Sequence, residues 1–206
     1  MSLARSEESE KSDASDLPIP REGNYPLLVT IKYVYESLWG STLPPDVGGN
    51  SGGPLTLGVR LRFSVAGRLV GMRVAVAEDN ASEHFGLIVT STNEGAPLRG
   101  IRFHPTPGGG LETVAKWHHA YFKPLDVAAD DELVAMCWFP NGRFWSELHG
   151  VESGPRTRGH ITAPQTGDGG DNGVYAFGSG WDLPFTFQGN LYAVDVLFLT
   201  DTEANR

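Results

Sequence analysis

A single cysteine, Cys137, stands among the 206 residues, so no disulfide can form within the chain. It lies in the apolar run ELVAMCWF with no histidine beside it, a setting for an inert packed thiol and not for a nucleophile. No hydrophobic run reaches the roughly 18 residues that a membrane-spanning helix needs. Basic residues are few: 16 Lys and Arg against 25 Asp and Glu leave a formal charge of -9. Such a surface repels phosphate backbones and anionic lipid, so neither nucleic acid nor membrane is an expected partner. The leading MSLARSEESEKSDASD lacks the apolar core of an export signal. The expectation is a protein made and left in a cytoplasm, whatever its later destination. Also missing is any sustained helical period.

What is present is strand and turn. Residues 1–24 form a Ser- and acid-rich arm closing on Leu17, Pro18, Ile19 and Pro20, too polar to order itself by burial. It is read as an attachment segment, with residues 25–206 as a single domain. Leu28 to Tyr35 is rich in β-branched and aromatic residues, as strands prefer. Leu57, Val59, Leu61 and Phe63 alternate with Gly58, Arg60 and Arg62, which predicts a half-buried strand with its basic side outward. Val70, Met72, Val74 and Val76 repeat the period. Further strands are expected at residues 85–91, 100–104, 113–122, 133–139, 173–177 and 191–199. Between them sit Gly and Pro clusters that fix turns. Many short strands with frequent turns argue an all-β fold, an antiparallel jelly-roll-like β-sandwich carrying an extended N-terminal arm.

Several segments follow one another in a familiar order. They run from Ser37-Leu38-Trp39 with Thr42 and Pro44-Pro45 through Leu57-Gly58-Val59, Val65-Ala66-Gly67 and Gly71-Met72-Arg73. Trp117 to Phe122, Pro124-Leu125, Pro140-Asn141-Gly142, Asn172 to Tyr175, Phe177-Gly178, Pro184 and Tyr192 to Val196 complete the series. Over roughly residues 36–199 the chain resembles the bacterial "domain of unknown function 4082" family. The resemblance implies a jelly-roll sandwich, usually one module among several in exported surface proteins, engaged in recognition or scaffolding. It brings no catalytic residue. Two departures stand out: this chain is read as standing alone and unexported, and Glu78 to Phe85 replaces an expected Gly- and Thr-rich stretch.

Several motifs suggest chemistry. Gly49 to Pro54 (GNSGGP) nearly spells a serine-protease signature. Every histidine lies downstream of Ser51 and Asn replaces the Asp, so a flexible loop explains it better. His118 and His119 are adjacent, which in a strand sends them to opposite faces and disfavours a shared zinc ion. Asp168 and Asp171, in DGGDNG, could hold calcium, although an Asx-turn explains the loop as well. Otherwise no cofactor is expected. Glu147 with Glu152, or Asp130 with Asp131, could be offered as a glycosidase pair, but surface charge is the simpler account.

The best recognition candidate is the turn Asn141-Gly142-Arg143-Phe144-Trp145 through His149, with Trp181 on a rim. Two aromatics after an Asn-Gly turn could stack on a sugar, with Asn141, Arg143 and His149 as polar contacts. Packing of Phe144 or Trp145 on the sandwich is the competing account. Trp39, Trp117 and Trp138 are assigned to the core. Asp195, inside the apolar LYAVDVLFL, must be hydrogen-bonded to backbone or arginine.

The expected function is non-enzymatic: a structural protein of a bacteriophage virion, a capsid decoration or minor tail protein, oligomeric and attached through its arm to capsid or tail proteins. The alternative is a carbohydrate-binding module that contacts a cell-surface glycan of the host.

Overall fold

A computed structural model describes residues 34–44, 49–77, 82–91, 97–104, 115–167, 172–178 and 186–201. The arm with Leu17, Pro18, Ile19 and Pro20, the Asp168 and Asp171 loop, and Trp181 lie outside the described residues.

The strands follow the turn signals. β1 (Gly49–Asn50) is a short prelude to β2 (Leu55–Phe63) and β3 (Gly67–Ala77). Next come β4 (His84–Thr90), β5 (Arg99–Phe103), β6 (Ala115–Val127) and β7 (Glu132–Phe139). Short pieces follow: β8 (Arg143–Phe144), β9 (Ser146–Glu147), β10 (Arg156–Arg158) and β11 (Ile161–Ala163). β12 (Gly173–Phe177), β13 (Thr186–Gln188), β14 (Leu191–Tyr192) and β15 (Val194–Thr200) close the chain.

The smaller sheet has the order β15-β3-β6, and Glu36 joins its β15 edge through an antiparallel bridge to Phe198. The larger sheet runs β11-β2-β7-β4-β5, with β12 sharing the β2 edge. Counting the Glu36 stretch as the first of eight, and leaving aside the short strands and β12, the orders are 1-8-3-6 and 2-7-4-5. Those are the two sheets of a jelly roll, which folds paired strands over each other as a double Greek key.

Alternation explains the filling between the sheets. Leu57, Val59, Leu61 and Phe63 of β2 turn inward to meet Met72, Val74, Val196 and Phe198, and Phe63 packs its ring 5.1 Å from that of Phe198. In β3 the period breaks. Leu69 pairs with Phe198 and Gly71 with Leu197, so Val70 is an extra residue with no opposite number on β15. This bulge turns Leu69 inward alongside Met72 and leaves Val70 only partly buried, against the expected Val70–Val76 period.

The far side of the larger sheet also differs from expectation. Leu87, Val89, Val134, Met136 and Val174 form a second apolar cluster there. Arg60, expected to face water, is buried on that side with its Nε 3.4 Å from Glu132. Arg62 alone keeps the exposed character that the alternation suggested, and it shares the same carboxylate at 2.6 Å. A run of alternating residues marks two faces, but it does not say that both will be covered.

Two buried titratable groups have measurable consequences. Cys137 is buried, and burial pushes its thiol well above the ordinary cysteine range. Native protein is therefore expected to resist a thiol-specific reagent and to take up one equivalent only on unfolding. Rapid labelling of the native chain would contradict this packing. His84 lies edge-on to Phe139 at 5.3 Å, and burial, the dominant cause, pushes its pKa down to about 4. The unfolded chain binds this proton near 6.5 and the folded chain resists it, so stability is full above neutrality and falls as pH drops from 6.5 toward 4. Between pH 7 and 5 the loss from His84 is about 2 kcal/mol. Urea titrations should show that slope in the native protein and a flatter one in His84→Gln.

Candidate functional site

The face of the smaller sheet turned away from the core carries its chemistry in register. Arg73 on β3 pairs with His119 on β6 and with Asp195 on β15. One step along, Gly71 stands between Tyr121 and Leu197; one step the other way, Ala75 pairs with Trp117. Period two therefore stacks Trp117, His119 and Tyr121 along one strand of the outer face.

The segment after Val34 closes the other side. Glu36 exchanges two backbone hydrogen bonds with Phe198, at 2.8 and 2.9 Å. The chain then turns over Ser37 to Gly40, and Gly40 adopts φ +58°, a conformation that favours glycine. What fixes this turn is Asp195. Its carboxylate accepts the backbone N–H groups of Leu38 and Trp39, each at 3.0 Å, and that of Val196 at 2.8 Å. Arg73 donates to the same carboxylate from Nε at 3.1 Å and Nη2 at 2.6 Å. The expectation that Asp195 must be paired with backbone or arginine is met by both at once.

Between these walls lies an open cavity of about 730 Å³. Tyr35, Trp117 and Tyr121 supply aromatic surface, and Arg73, His119 and Leu197 form part of the lining. Tyr35 and Tyr121 have centroids 6.1 Å apart with their planes tilted by 50°, so the two rings meet across the cleft. Trp117 is held at both ends: its indole N–H donates to the Thr42 carbonyl at 3.1 Å, and the Arg73 guanidinium lies 4.2 Å from its ring centre. His119 has its pKa lowered, first by burial and then by the neighbouring Arg73 charge. At the mouth, Glu36 accepts the His160 backbone N–H at 2.7 Å, and the His160 Nδ1 lies 2.8 Å from the same carboxylate. Rigid rings beside fixed polar groups make a surface that can bind a flat, partly apolar ligand and orient it by hydrogen bonds.

A family model, Domain of unknown function (DUF4082), matches residues 41–194. The chain belongs to that family. No curated protein matches it significantly. The matched span of this DUF4082 domain takes in Arg73, the whole β6 wall and Arg158, whereas Tyr35 to Gly40 precede it.

None of the residues singled out in the turn at 141–149 lines the cleft. Asn141 is exposed and caps its own turn, accepting the Arg143 N–H at 3.3 Å. Phe144 packs edge-on against Tyr192, with centroids 5.9 Å apart, and is partly buried against the main core. Trp145 packs on Ala75 and Ala193, a small cluster that Trp117 also joins from the cleft side. His149 pairs with Glu152 at 2.6 Å, and Glu147 with Arg156. Ser51 donates its hydroxyl to the Gly53 carbonyl at 2.6 Å. Asp131 accepts the Ala128 N–H at 2.8 Å within a turn. Of the three tryptophans assigned to the core, Trp39 is fully buried, Trp117 packs partly buried against the main core while also lining the cleft, and Trp138 is partly buried with its ring 5.8 Å from that of Phe85. Among the described residues no three of His, Cys, Asp and Glu gather as a metal site.

Proposed function

We propose that this DUF4082 domain is a non-enzymatic carbohydrate-recognition module that receives a sugar chain in the cleft of the smaller sheet. The observation that carries this is the convergence of Tyr35, Trp117 and Tyr121 on one cavity with Arg73 and Ser37. Sugar rings present C–H faces that lose water together with aromatic faces, while their hydroxyls need fixed donors and acceptors. A hydrolase would need two carboxylates flanking the bond to be cut. Among the described residues Glu36 is the one carboxylate lining the cleft, and His160 already engages it.

Tyr121 is 59% exposed, so its ring can be removed with little effect on folding. Tyr121→Ala should lower glycan affinity about tenfold, the loss of a single aromatic contact of roughly 1 kcal/mol or more, and leave Tm almost unchanged. Phe144→Ala should do the reverse, lowering Tm and sparing binding. A glycan array without a single hit, or a Tyr121→Ala variant that binds as the native protein does, would remove the proposal.

A further inference from the structure

We infer that the cleft selects an acidic sugar, a uronate- or sialate-type residue whose carboxylate is taken by Arg158. This rests on the cleft being a sugar site. Arg158 ends β10, is exposed, and lines the cleft beside Gly159. A Cβ added to Gly40 would lie only 2.3 Å from the Arg158 guanidinium carbon, so the guanidinium rests directly on the glycine turn that Asp195 anchors. That glycine leaves the space in which the planar head sits at the cleft mouth.

The other guanidinium groups nearby are committed. Arg73 is bound to Asp195, and Arg156 is bound to Glu147. Among the described residues no carboxylate pairs with Arg158. Arg73 is taken by Asp195 and the Glu36 carboxylate by His160, so contact geometry leaves Arg158 as the cleft guanidinium with its N–H fork open to a ligand, in a chain of net charge -9. An acid-rich molecule that holds one guanidinium open beside an aromatic cleft is arranged for a carboxylate carried on a ligand whose C–H faces stack on the rings. The fork of N–H donors on a guanidinium matches the two oxygens of a carboxylate, which a neutral hydroxyl does not.

The test is a panel of galacturonate, glucuronate and sialate oligosaccharides, each beside its own methyl ester, titrated against the native chain, Arg158→Gln, Arg158→Lys and Tyr121→Ala. The ester keeps the ring and removes the charge. The expected result is binding to at least one free acid, weakened about tenfold or more in its ester and by a similar factor in Arg158→Gln. Arg158→Lys should fall between, since it keeps charge without the fork, and added salt should weaken the acid alone. Tyr121→Ala should weaken acid and ester alike. Equal binding of acid and ester, or of neutral glycans only, overturns the acidic selection and leaves the sugar site standing. Binding to no glycan of either kind overturns both.

Discussion

Replacing Asp195 with alanine is expected to lower the unfolding free energy by about 3–5 kcal/mol, the usual loss when a buried ion pair is broken from one side. For a chain of this size that corresponds to a fall in Tm of roughly 10 °C. Asp195 is fully buried, and its two oxygens serve Leu38, Trp39, Val196 and Arg73. Alanine leaves three backbone donors without their acceptor and strands a guanidinium whose side chain is only 6% exposed. Asparagine does not rescue the site, because its amide would set donors against the donors that one carboxylate oxygen now satisfies. The double variant Arg73→Met, Asp195→Ala should lose less than the sum of the two single variants, since no unpaired charge then remains inside. Urea denaturation of the four proteins measures the coupling directly. A loss below about 1 kcal/mol for Asp195→Ala would mean that the Leu38–Trp39 turn is held by something else.

The fold was largely legible because its strands obey period two and its turns contain Gly and Pro. The strand at Gly173–Phe177 was read to the residue, and the need for a partner at Asp195 followed from its apolar neighbours alone. The cleft was not legible for a definite reason. Alternation places Trp117, His119 and Tyr121 on one face, but says nothing about whether that face meets the core. Only the register with Arg73 and Asp195, from strands far apart in sequence, brings the three together beside the cleft. At Phe144 the sequence leaves stacking on a ligand and packing on the sandwich both open, and the structure shows the packing. An Asn-Gly turn suggests an exposed tip, yet a Cβ on Gly49 would come within 2.3 Å of the Phe144 ring. The ring is turned inward over a glycine 95 positions earlier, on the strand that pairs with β8.

Trp39 supplies the second large effect and separates packing from polarity. Its side chain is 1% exposed and belongs to the main core. The Arg156 guanidinium lies 4.1 Å from its ring centre, and Trp117 of the cleft wall stands 6.4 Å away. Trp39→Ala should therefore cost about 3–5 kcal/mol through the cavity it opens. It should also loosen Trp117, so glycan affinity falls together with stability. Trp39→Phe is expected to behave differently. The indole N–H of Trp39 finds no acceptor among the described residues, and a buried donor left unsatisfied costs about 1–3 kcal/mol. Phenylalanine removes that donor while keeping an aromatic ring beneath Arg156, so part of the lost volume is offset. The phenylalanine variant should lose at most about 1.5 kcal/mol, within the range of single-residue changes that leave a core intact, and should keep its glycan binding. Equal damage from phenylalanine and alanine would show that the indole N–H is satisfied in solution and that the two-ring shape itself holds the cleft wall in place.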